Sequence, residues 1–591
     1  MRSVFDYIKK YKFLLLIILP AFFLYMLVIF PSGTFFCFKD ACGINFWGVH
    51  GHDAIWHLAI ANVSFNKFPF IAPTFSGENL YGYNYLLDFF IFLLSKIGIS
   101  AIFSYFKLLP VVWFILFTTL LLNLARKIKD SPMFVGVFLF LSYFTGSFSY
   151  LLTLMHDKTL NGSSTLLPQP IMHSMSNLPY AFSLIPFLII LILMKEKNLN
   201  LKRVLIMGIC IFLIMGLKFY GGVISIFMVM THVILGKSRL GDDSRIVVLN
   251  NDSGRVTIPL GTGMTLKIKY LFIICLLIIC SILLFYDPIR SFKTGSVFGW
   301  SPFALVHTIT EEPGNFYLRD LTDARYYIMA QGRIGPRFIW IEFVNLTLFL
   351  FFYLGTRFFA FFYIAIQTLR RKLDRFDVTV VLTIFFSILL TVTLVQKAEW
   401  WNTIQFFFYA IFLLTIYLTH LVYDLIKSKK LILIGLASVI LLLSIPTSLD
   451  LIRLFAVAPG AAYVSVDEIK ALNFLKKQTA GIVLTHLYNK EWKNYQKSNL
   501  LYAYEDTAYV AALSGKQEYL ANILQLRLTG VPYKKRLESL KKMDCSILKE
   551  VDYVYEIRKL IDQEKIMIKC KPKNSKKIFE NKSINIYLIT K

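Results

Sequence analysis

Apolar runs close to 20 residues long recur along most of this 591-residue chain. That spacing decides the fold class, because about 20 apolar residues in a helix match the hydrocarbon core of a bilayer. A soluble chain of this length would divide into about four domains, an expectation the hydropathy overrules. Hydrophobic residues make up 56% of the chain and charged residues only 17%, where a typical soluble domain has about 25% charged. A soluble enzyme, a disordered protein and a disulfide-stapled secreted module are all excluded. The net charge of +27 fits basic cytoplasmic loops facing anionic lipid, and it does not point to nucleic acid.

Topology follows from the basic clusters. The first run, Phe13–Phe30, follows Lys9, Lys10 and Lys12 and lacks a small-residue cleavage site, so it reads as a retained span with a cytoplasmic N-terminus. The clusters Arg126–Lys129, Lys195–Arg203, Lys237–Arg245, Arg370–Arg375 and Lys427–Lys430 should be cytoplasmic. Spans near 104–125, 133–152, 179–194, 203–219, 221–236, 270–286, 341–369, 378–396, 403–426 and 431–446 satisfy them, giving about eleven crossings with the first. Tyr85–Ile97 is apolar but short and reads as an interfacial helix. The pair around Lys218–Gly222 is either two spans or one broken helix, and the choice changes the parity. Arg245–Leu260 reads as a small cytoplasmic hairpin turning at Asn251-Asp252-Ser253-Gly254.

The expected fold is a multi-pass α-helical membrane protein with a small C-terminal α/β extracytoplasmic domain. Residues 1–455 form the membrane domain, with a first outer loop at about 31–84, and 456–591 the outer domain. That domain includes strands at Ile482–Thr485 and Ile584–Ile589 and a packed helix over Ala508–Leu520 ending near Gly515. Cys210, Cys275 and Cys280 lie in apolar spans as packing residues. Cys37 and Cys42 either pair in an oxidising compartment or are neighbours by coincidence.

The densest polar cluster is His50-Gly51-His52-Asp53-Ala54-Ile55-Trp56-His57, in the first outer loop. Asp53 and His57 stand four apart and share a helix face. A carboxylate beside imidazoles at a membrane boundary suits proton removal from an acceptor hydroxyl, or ligation of a divalent cation such as Mg²⁺ or Mn²⁺. The plainer alternative is an N-terminal cap with Trp and His at headgroup level. Zinc is not indicated, since no Cys pair or HExxH spacing accompanies the cluster. Downstream, Glu78 reads as solvated, whereas Asp88 sits on an otherwise apolar helix where an acid is costly and so a functional candidate.

Further polar residues mark the outer face. Arg319, Arg325, Arg333 and Arg337 are interleaved with Tyr317, Tyr326, Tyr327, Gly332 and Gly335. Each arginine alone reads as a solvated loop residue; as a cluster they suit phosphate, with Arg337 the first choice. Lys218-Phe219-Tyr220 interrupts an apolar run, so Lys218 either reaches an outer polar cavity or snorkels to the interface. Trp400 and Trp401 suit an aromatic belt, and Gln405, one turn inside the membrane, needs a buried partner. His156-Asp157-Lys158 and Gln169–His173 form another outer loop, either interfacial or on the acceptor side. No Walker loop or GxGxxG fingerprint is present, which favours a lipid-linked over a nucleotide-linked donor.

The order of these elements resembles the GT-C superfamily of membrane glycosyltransferases, which includes protein O-mannosyltransferases, aminoarabinose transferases and oligosaccharyltransferases. The resemblance covers one N-terminal span, a long outer loop with an acid near its start, a short interfacial helix, many further spans and an outer domain. It is specific only across about Gly51–Asp88. It implies that Asp53 is the catalytic acid and that the donor is a sugar on a polyprenyl phosphate or diphosphate. Two departures stand out: Ala54 follows Asp53 where the mannosyltransferases carry a second acid, and Gly82-Tyr83-Asn84-Tyr85 replaces a His-Pro-Pro turn. The WWD motif of oligosaccharyltransferases is absent; Glu399-Trp400-Trp401-Asn402 is only superficially similar.

The resulting expectation is an inverting sugar transfer at the outer membrane face, with Asp53 as general base and membrane lipids around the site. His52, His57, Glu78, Asp88, Lys218, Tyr220, Arg325, Arg333, Arg337 and Gln405 would contact substrate. The acceptor is a protein, a lipid or a glycan. The rival class is a secondary transporter or lipid flippase, which would show internal repeats and midplane ionisable residues. No repeat is evident here, and the ionisable residues crowd the outer loops. A non-catalytic assembly protein would leave the acidic first loop without a role.

Overall fold

The computed structural model describes residues 12–38, 41–162, 166, 174–196, 199–236, 247–251, 254–258, 262–289, 298–397, 399–456, 462–487, 500–501, 507–560 and 565–590. Among these, seven helices are long and apolar enough to cross a membrane, from Lys12–Ile29 to Leu431–Asp450, and the bent pair Pro132–Phe144 and Ser149–His156 makes an eighth. Leu178–Met194 and Phe219–Ile234 are shorter apolar helices, with Leu201–Leu217 between them. The expected interfacial segment is the 11-residue helix Leu86–Lys96. At about 1.5 Å per residue it is too short to cross. Gln169–His173 lie outside the described residues.

Ion pairs settle whether Lys218 breaks one helix or joins two. Glu196 pairs with Lys127 and with Arg203 (3.4 Å), Lys195 Nζ lies 2.8 Å from Asp374, and Arg375 Nε donates to the His232 carbonyl at 3.1 Å. The start of Leu201–Leu217 and the end of Phe219–Ile234 therefore share one basic face, and Lys218 turns the chain at the opposite end. These are two antiparallel helices. With 17 and 16 residues they span about 25 Å, less than the roughly 30 Å hydrocarbon core. The shortfall draws Lys218 inward from the far surface.

Of the spans expected near 133–152 and 341–369, the first is a bent helix pair and the second is one 34-residue apolar span, Pro336–Leu369, with an irregular turn inside it. Between Phe144 and Ser149 the first bends by 50°. The second passes through a 3-10 turn, Gly355–Phe359, between Pro336–Leu354 and Ala360–Leu369. A third irregularity, at Ser444–Ile445, lies inside the span Leu431–Asp450, between Leu431–Leu443 and Pro446–Ala456. Irregular backbone at membrane depth survives only where protein satisfies it, and these three irregular turns exchange hydrogen bonds. Gly146 N–H donates to the Ser444 carbonyl (3.0 Å) and Phe148 N–H to the Phe352 carbonyl (2.8 Å). Thr447 and Ser448 hydroxyls donate to the carbonyls of Ser147 (2.8 Å) and Phe144 (2.7 Å). Buried Arg357 donates from Nη2 to the Thr145 carbonyl and from Nε to Thr415 Oγ1, both at 2.9 Å.

Beyond the helical layer, the first loop and the C-terminal segment are woven together. Ala41–Phe46 lies between Thr34–Phe38 and Ala462–Ser465 in an antiparallel sheet, and the Cys37–Cys42 disulfide joins directly opposed residues of its hairpin. A five-stranded sheet runs in the order Ser575–Glu580, Ile584–Ile589, Tyr553–Ile557, Ile482–Leu484, Gln517–Glu518. A second disulfide, Cys545–Cys570, lies in the same region. Ala72 and Phe75 of the first loop enter the apolar core of Leu484, Tyr519 and Leu520. The Arg536 guanidinium lies over the Phe75 and Tyr519 rings at 4.2 and 4.5 Å and donates to the Ser76 carbonyl at 2.8 Å. The packed helix expected in the 508–520 stretch, ending near Gly515, is Tyr509–Ser514; Gly515 at φ +69° caps it and the chain turns into a strand. It packs on Asp53–Val63, where Asn62 Nδ2 donates to the Ala512 carbonyl (2.6 Å). The hairpin pairs Val247–Asn251 with Gly254–Ile258 as expected.

Gly355 is a tight point of the broken-helix cluster. Its φ is +58°, and a Cβ there would lie 2.5 Å from the Gly146 carbonyl oxygen. Gly355→Ala should therefore destabilise the fold by about 2–4 kcal/mol, measured as earlier thermal unfolding of the detergent-solubilised protein; an unchanged midpoint would contradict this account of the break.

Candidate active site

The helix Asp53–Val63 starts in the first loop and buries almost all of its length. Its first residue carries the acid, where the exposed N–H groups of a helix start favour negative charge. His50, just upstream, fixes how the loop lies. Its Nδ1 accepts from the Ser32 hydroxyl (2.7 Å), and its Nε2–H donates to the Met175 carbonyl (2.9 Å). Burial lowers the His50 pKa to about 4, so the ring is neutral. Through Met175 it ties the first loop to the segment carrying Asn177.

Asn177 caps Leu178–Met194, its Oδ1 accepting from Tyr180 N–H at 3.0 Å. The same oxygen receives Lys218 Nζ at 3.3 Å, and its Nδ2 donates to Asp53 Oδ2 at 2.9 Å. One carboxamide thus stands between an ammonium and a carboxylate, its oxygen toward the cation and its N–H toward the anion. Lys218 is 8% exposed, with extended backbone between its two helices.

These groups face a cavity of about 760 Å³. Its far wall is a chain of neutral polar groups. Tyr220 Oη donates to Gln396 Oε1 (3.1 Å), Asn402 Nδ2 to the same oxygen (2.9 Å), and Gln405 Nε2 to Asn402 Oδ1 (3.4 Å). Gln396 is held there by the short strand Leu394–Gln396, paired with Phe298–Trp300. Phe219, Phe298 and Phe408 supply aromatic surface, and Leu524, Gln525, Leu528 and Thr529 close the cavity from the C-terminal segment.

Of the residues singled out in the sequence, Asp53, His52, Lys218, Tyr220 and Gln405 line this cavity. His57 and Asp88 lie off it, buried against each other, with Nδ1 at 2.9 and 3.1 Å from the two carboxylate oxygens. The link to the cavity is Tyr83, a lining residue whose hydroxyl is 3.5 Å from His57 Nε2. Glu78 is half-buried away from the lining, its backbone carbonyl accepting from Ala72 N–H. The expected arginine cluster does not converge on the cavity. Arg325 is neutralised by Glu342 (2.8 Å) and Glu311 (3.1 Å), while Arg333 and Arg337 are exposed and off the lining. The sequence reading missed Asn177, Tyr83, Gln396 and Asn402. Only Asn177 left a local signal: Asn-Leu-Pro is the start signature of a helix.

A divalent ion fits this donor set poorly. Among the described residues no three His, Cys, Asp or Glu side chains converge. Glu399, the other acid on the lining, accepts from the Trp401 indole N–H. A dication on Asp53 would also meet repulsion from the Lys218 ammonium, which lies across the Asn177 carboxamide from it.

In overall fold the chain is similar to the oligosaccharyltransferase of Archaeoglobus fulgidus in its apo form. The TM-score is 0.50 at 12% identity, over 93% of this chain and 70% of that one. The archaeal oligosaccharyltransferase AglB of the same organism, in complex with an inhibitory peptide and a dolichol-phosphate, gives 0.48 at 11%, with the same coverage. At these identities the likeness concerns fold alone. No protein-family model and no curated protein sequence matches the chain.

The His57–Asp88 pair makes a pH-dependent prediction. Burial alone would keep the ring neutral, but the Asp88 carboxylate outweighs it and raises the His57 pKa above its ordinary value. A raised folded-state pKa contributes stability that is full below about pH 6.5 and is lost as pH rises through the folded value. Asp88→Asn should therefore cost about 3 kcal/mol near pH 6 and distinctly less at pH 9, read from thermal unfolding at both pH values. An equal loss at both would refute a charged pair.

Proposed function

We propose that this protein is an inverting membrane glycosyltransferase that moves a sugar from a polyprenyl phosphate or diphosphate to an acceptor hydroxyl at the outer membrane face. The observation that carries this reading is the Asp53 carboxylate on the wall of an aromatic-lined cavity. Oδ2 is held by Asn177, which leaves Oδ1 to take a proton. The reaction needs a base on one side of the anomeric carbon and compensation for a departing phosphate on the other. An aromatic and amide-rich wall suits a sugar ring with hydroxyl groups, and the apolar surroundings suit a prenyl chain. The acceptor is a protein, lipid or glycan that reaches the cavity past the C-terminal segment.

Two asymmetries support an outward-facing site. The Cys37–Cys42 and Cys545–Cys570 disulfides both lie on the site side of the helical layer, as an oxidising compartment favours. The basic clusters around Lys127, Lys195 and Arg203 lie at the other side, as the cytoplasmic face favours. The N-terminus would then be cytoplasmic and the C-terminal domain extracytoplasmic.

Asp53→Asn keeps the Asn177 contact sterically possible while removing the base. Transfer of radiolabelled sugar from a polyprenyl-phosphate donor should fall by about 10²- to 10⁴-fold, with the thermal midpoint nearly unchanged. Full transfer by a folded Asp53→Asn protein would rule the mechanism out. Sugar flux across proteoliposomes without any transfer would favour a transporter instead.

A further inference from the structure

We propose that Tyr83 donates a hydrogen bond to a hydroxyl oxygen of the transferred sugar, and that the buried His57–Asp88 pair aims its proton there. The proposal rests on the glycosyltransferase reading and goes beyond it by assigning a sugar contact and the device that orients it. His57 and Asp88 are both buried. A buried ion pair is a poor stabiliser, because apolar residues of the same volume often do as well. The pair therefore calls for a use, and its second ring nitrogen supplies one.

Nδ1 lies 2.9 and 3.1 Å from the two Asp88 oxygens, so it carries a proton. Nε2 faces the Tyr83 hydroxyl at 3.5 Å, and Tyr83 lines the cavity. Burial and the carboxylates of Asp53 and Asp88 hold the Tyr83 pKa well above its ordinary value, so the phenol keeps its proton. Where that proton points depends on the ring. An imidazolium carries N–H on both nitrogens. Its Nε2–H donates to the phenol oxygen, and the O–H turns away into the cavity. A ring protonated at Nδ1 alone takes the O–H on Nε2 instead, which leaves the cavity a lone pair and no donor. Burial opposes the charged ring, but the Asp88 carboxylate outweighs it, so the donor form is the resting one. A phenol that itself accepts from a cation is also the stronger donor.

Neighbouring contacts hold Tyr83 in this place. Its ring meets Trp56 edge-on, with 5.7 Å between centroids. Asn84 Nδ2 donates to the Leu217 carbonyl (2.9 Å), and the Tyr85 hydroxyl donates to the Leu284 carbonyl (2.8 Å). Trp56 and His57 belong to the helix that Asp53 begins, so Tyr83 is mounted on the base's side of the cavity. Inversion puts the base and the departing group on opposite faces of the sugar. A donor on the base's side therefore meets sugar hydroxyl oxygens, not the phosphate. Tyr83 gives up no proton in this scheme; it holds the ring where the base works. It is a catalytic residue because it touches substrate, and His57 and Asp88 are positioning residues.

The experiment uses the full-length protein in detergent. Its probes are sugar-free undecaprenyl phosphate and an undecaprenyl-phosphate hexose or pentose that the wild-type protein turns over. Tyr83→Phe keeps the ring packing and removes one oxygen. It should lower kcat/KM for the sugar donor about tenfold at pH 6 and leave binding of undecaprenyl phosphate unchanged. Asp53, Asp88, Lys218, Tyr83 and Tyr105 surround the His57 ring. The rate is therefore read as the ratio of wild type to Tyr83→Phe, in which the titrations of Asp53 and Lys218 cancel. That ratio should shrink by about threefold or more between pH 6 and pH 9, as His57 loses its second proton and draws the phenol O–H to Nε2. A ratio near one at pH 6 would overturn the sugar contact. A ratio that stays the same at both pH values would overturn the role of the His57–Asp88 pair. Equally weakened binding of undecaprenyl phosphate by Tyr83→Phe would place the contact on phosphate and overturn the assignment to sugar. All three outcomes leave the Asp53-dependent glycosyltransferase reading intact. Absence of transfer by wild-type protein from any polyprenyl-linked sugar would refute that reading, and this assignment with it.

Discussion

The carboxamide of Asn177 holds the site together, because it keeps two opposite charges near each other without letting them neutralise. A lysine and an aspartate facing a low-dielectric cavity would otherwise attract strongly and close into a contact pair. Asn177 receives the ammonium on its oxygen and serves the carboxylate with its N–H. Its own position comes from the helix it caps and from His50, which ties Met175 to the first loop. Three segments far apart in the chain therefore meet at one side chain.

That arrangement depends on a helical layer whose backbone is unusually irregular. Irregular turns at Thr145–Phe148, Gly355–Phe359 and Ser444–Ile445 lie against one another and exchange hydrogen bonds. In lipid no water would do this. Arg357 contributes the charge at this junction, held by the neutral oxygens of Thr145 and Thr415. The short helices Leu201–Leu217 and Phe219–Ile234 follow the same logic at the site. Being shorter than the bilayer core, they bring their connecting residue Lys218 into the cavity.

The outer segments add closure to this scaffold. The first loop contributes strands, part of a second core and the acid, while the C-terminal segment contributes the matching strand, the rest of that core and one cavity wall. Phe75 and Arg536 lie far apart in sequence yet stack directly. The first loop and the C-terminal segment share sheet and core although they lie at opposite ends of the chain.

Periodic hydropathy and charge placement were enough to read the membrane class, most helix positions, the first-loop acid and the basic face, because each is a local property repeated over many residues. Capping chemistry was also local, as Gly515 and Asn177 show. The chain alone left open where the helices break, since Gly146 and Gly355 are ordinary glycines until each backbone meets the other. It also left open which cations reach the cavity. The sequence favoured the arginine cluster, Arg337 first, for phosphate, but Arg325 pairs with two carboxylates and Arg333 and Arg337 are exposed off the lining. Charge pairing depends on distances of a few ångströms between segments remote in sequence, and only the tertiary structure decides those distances.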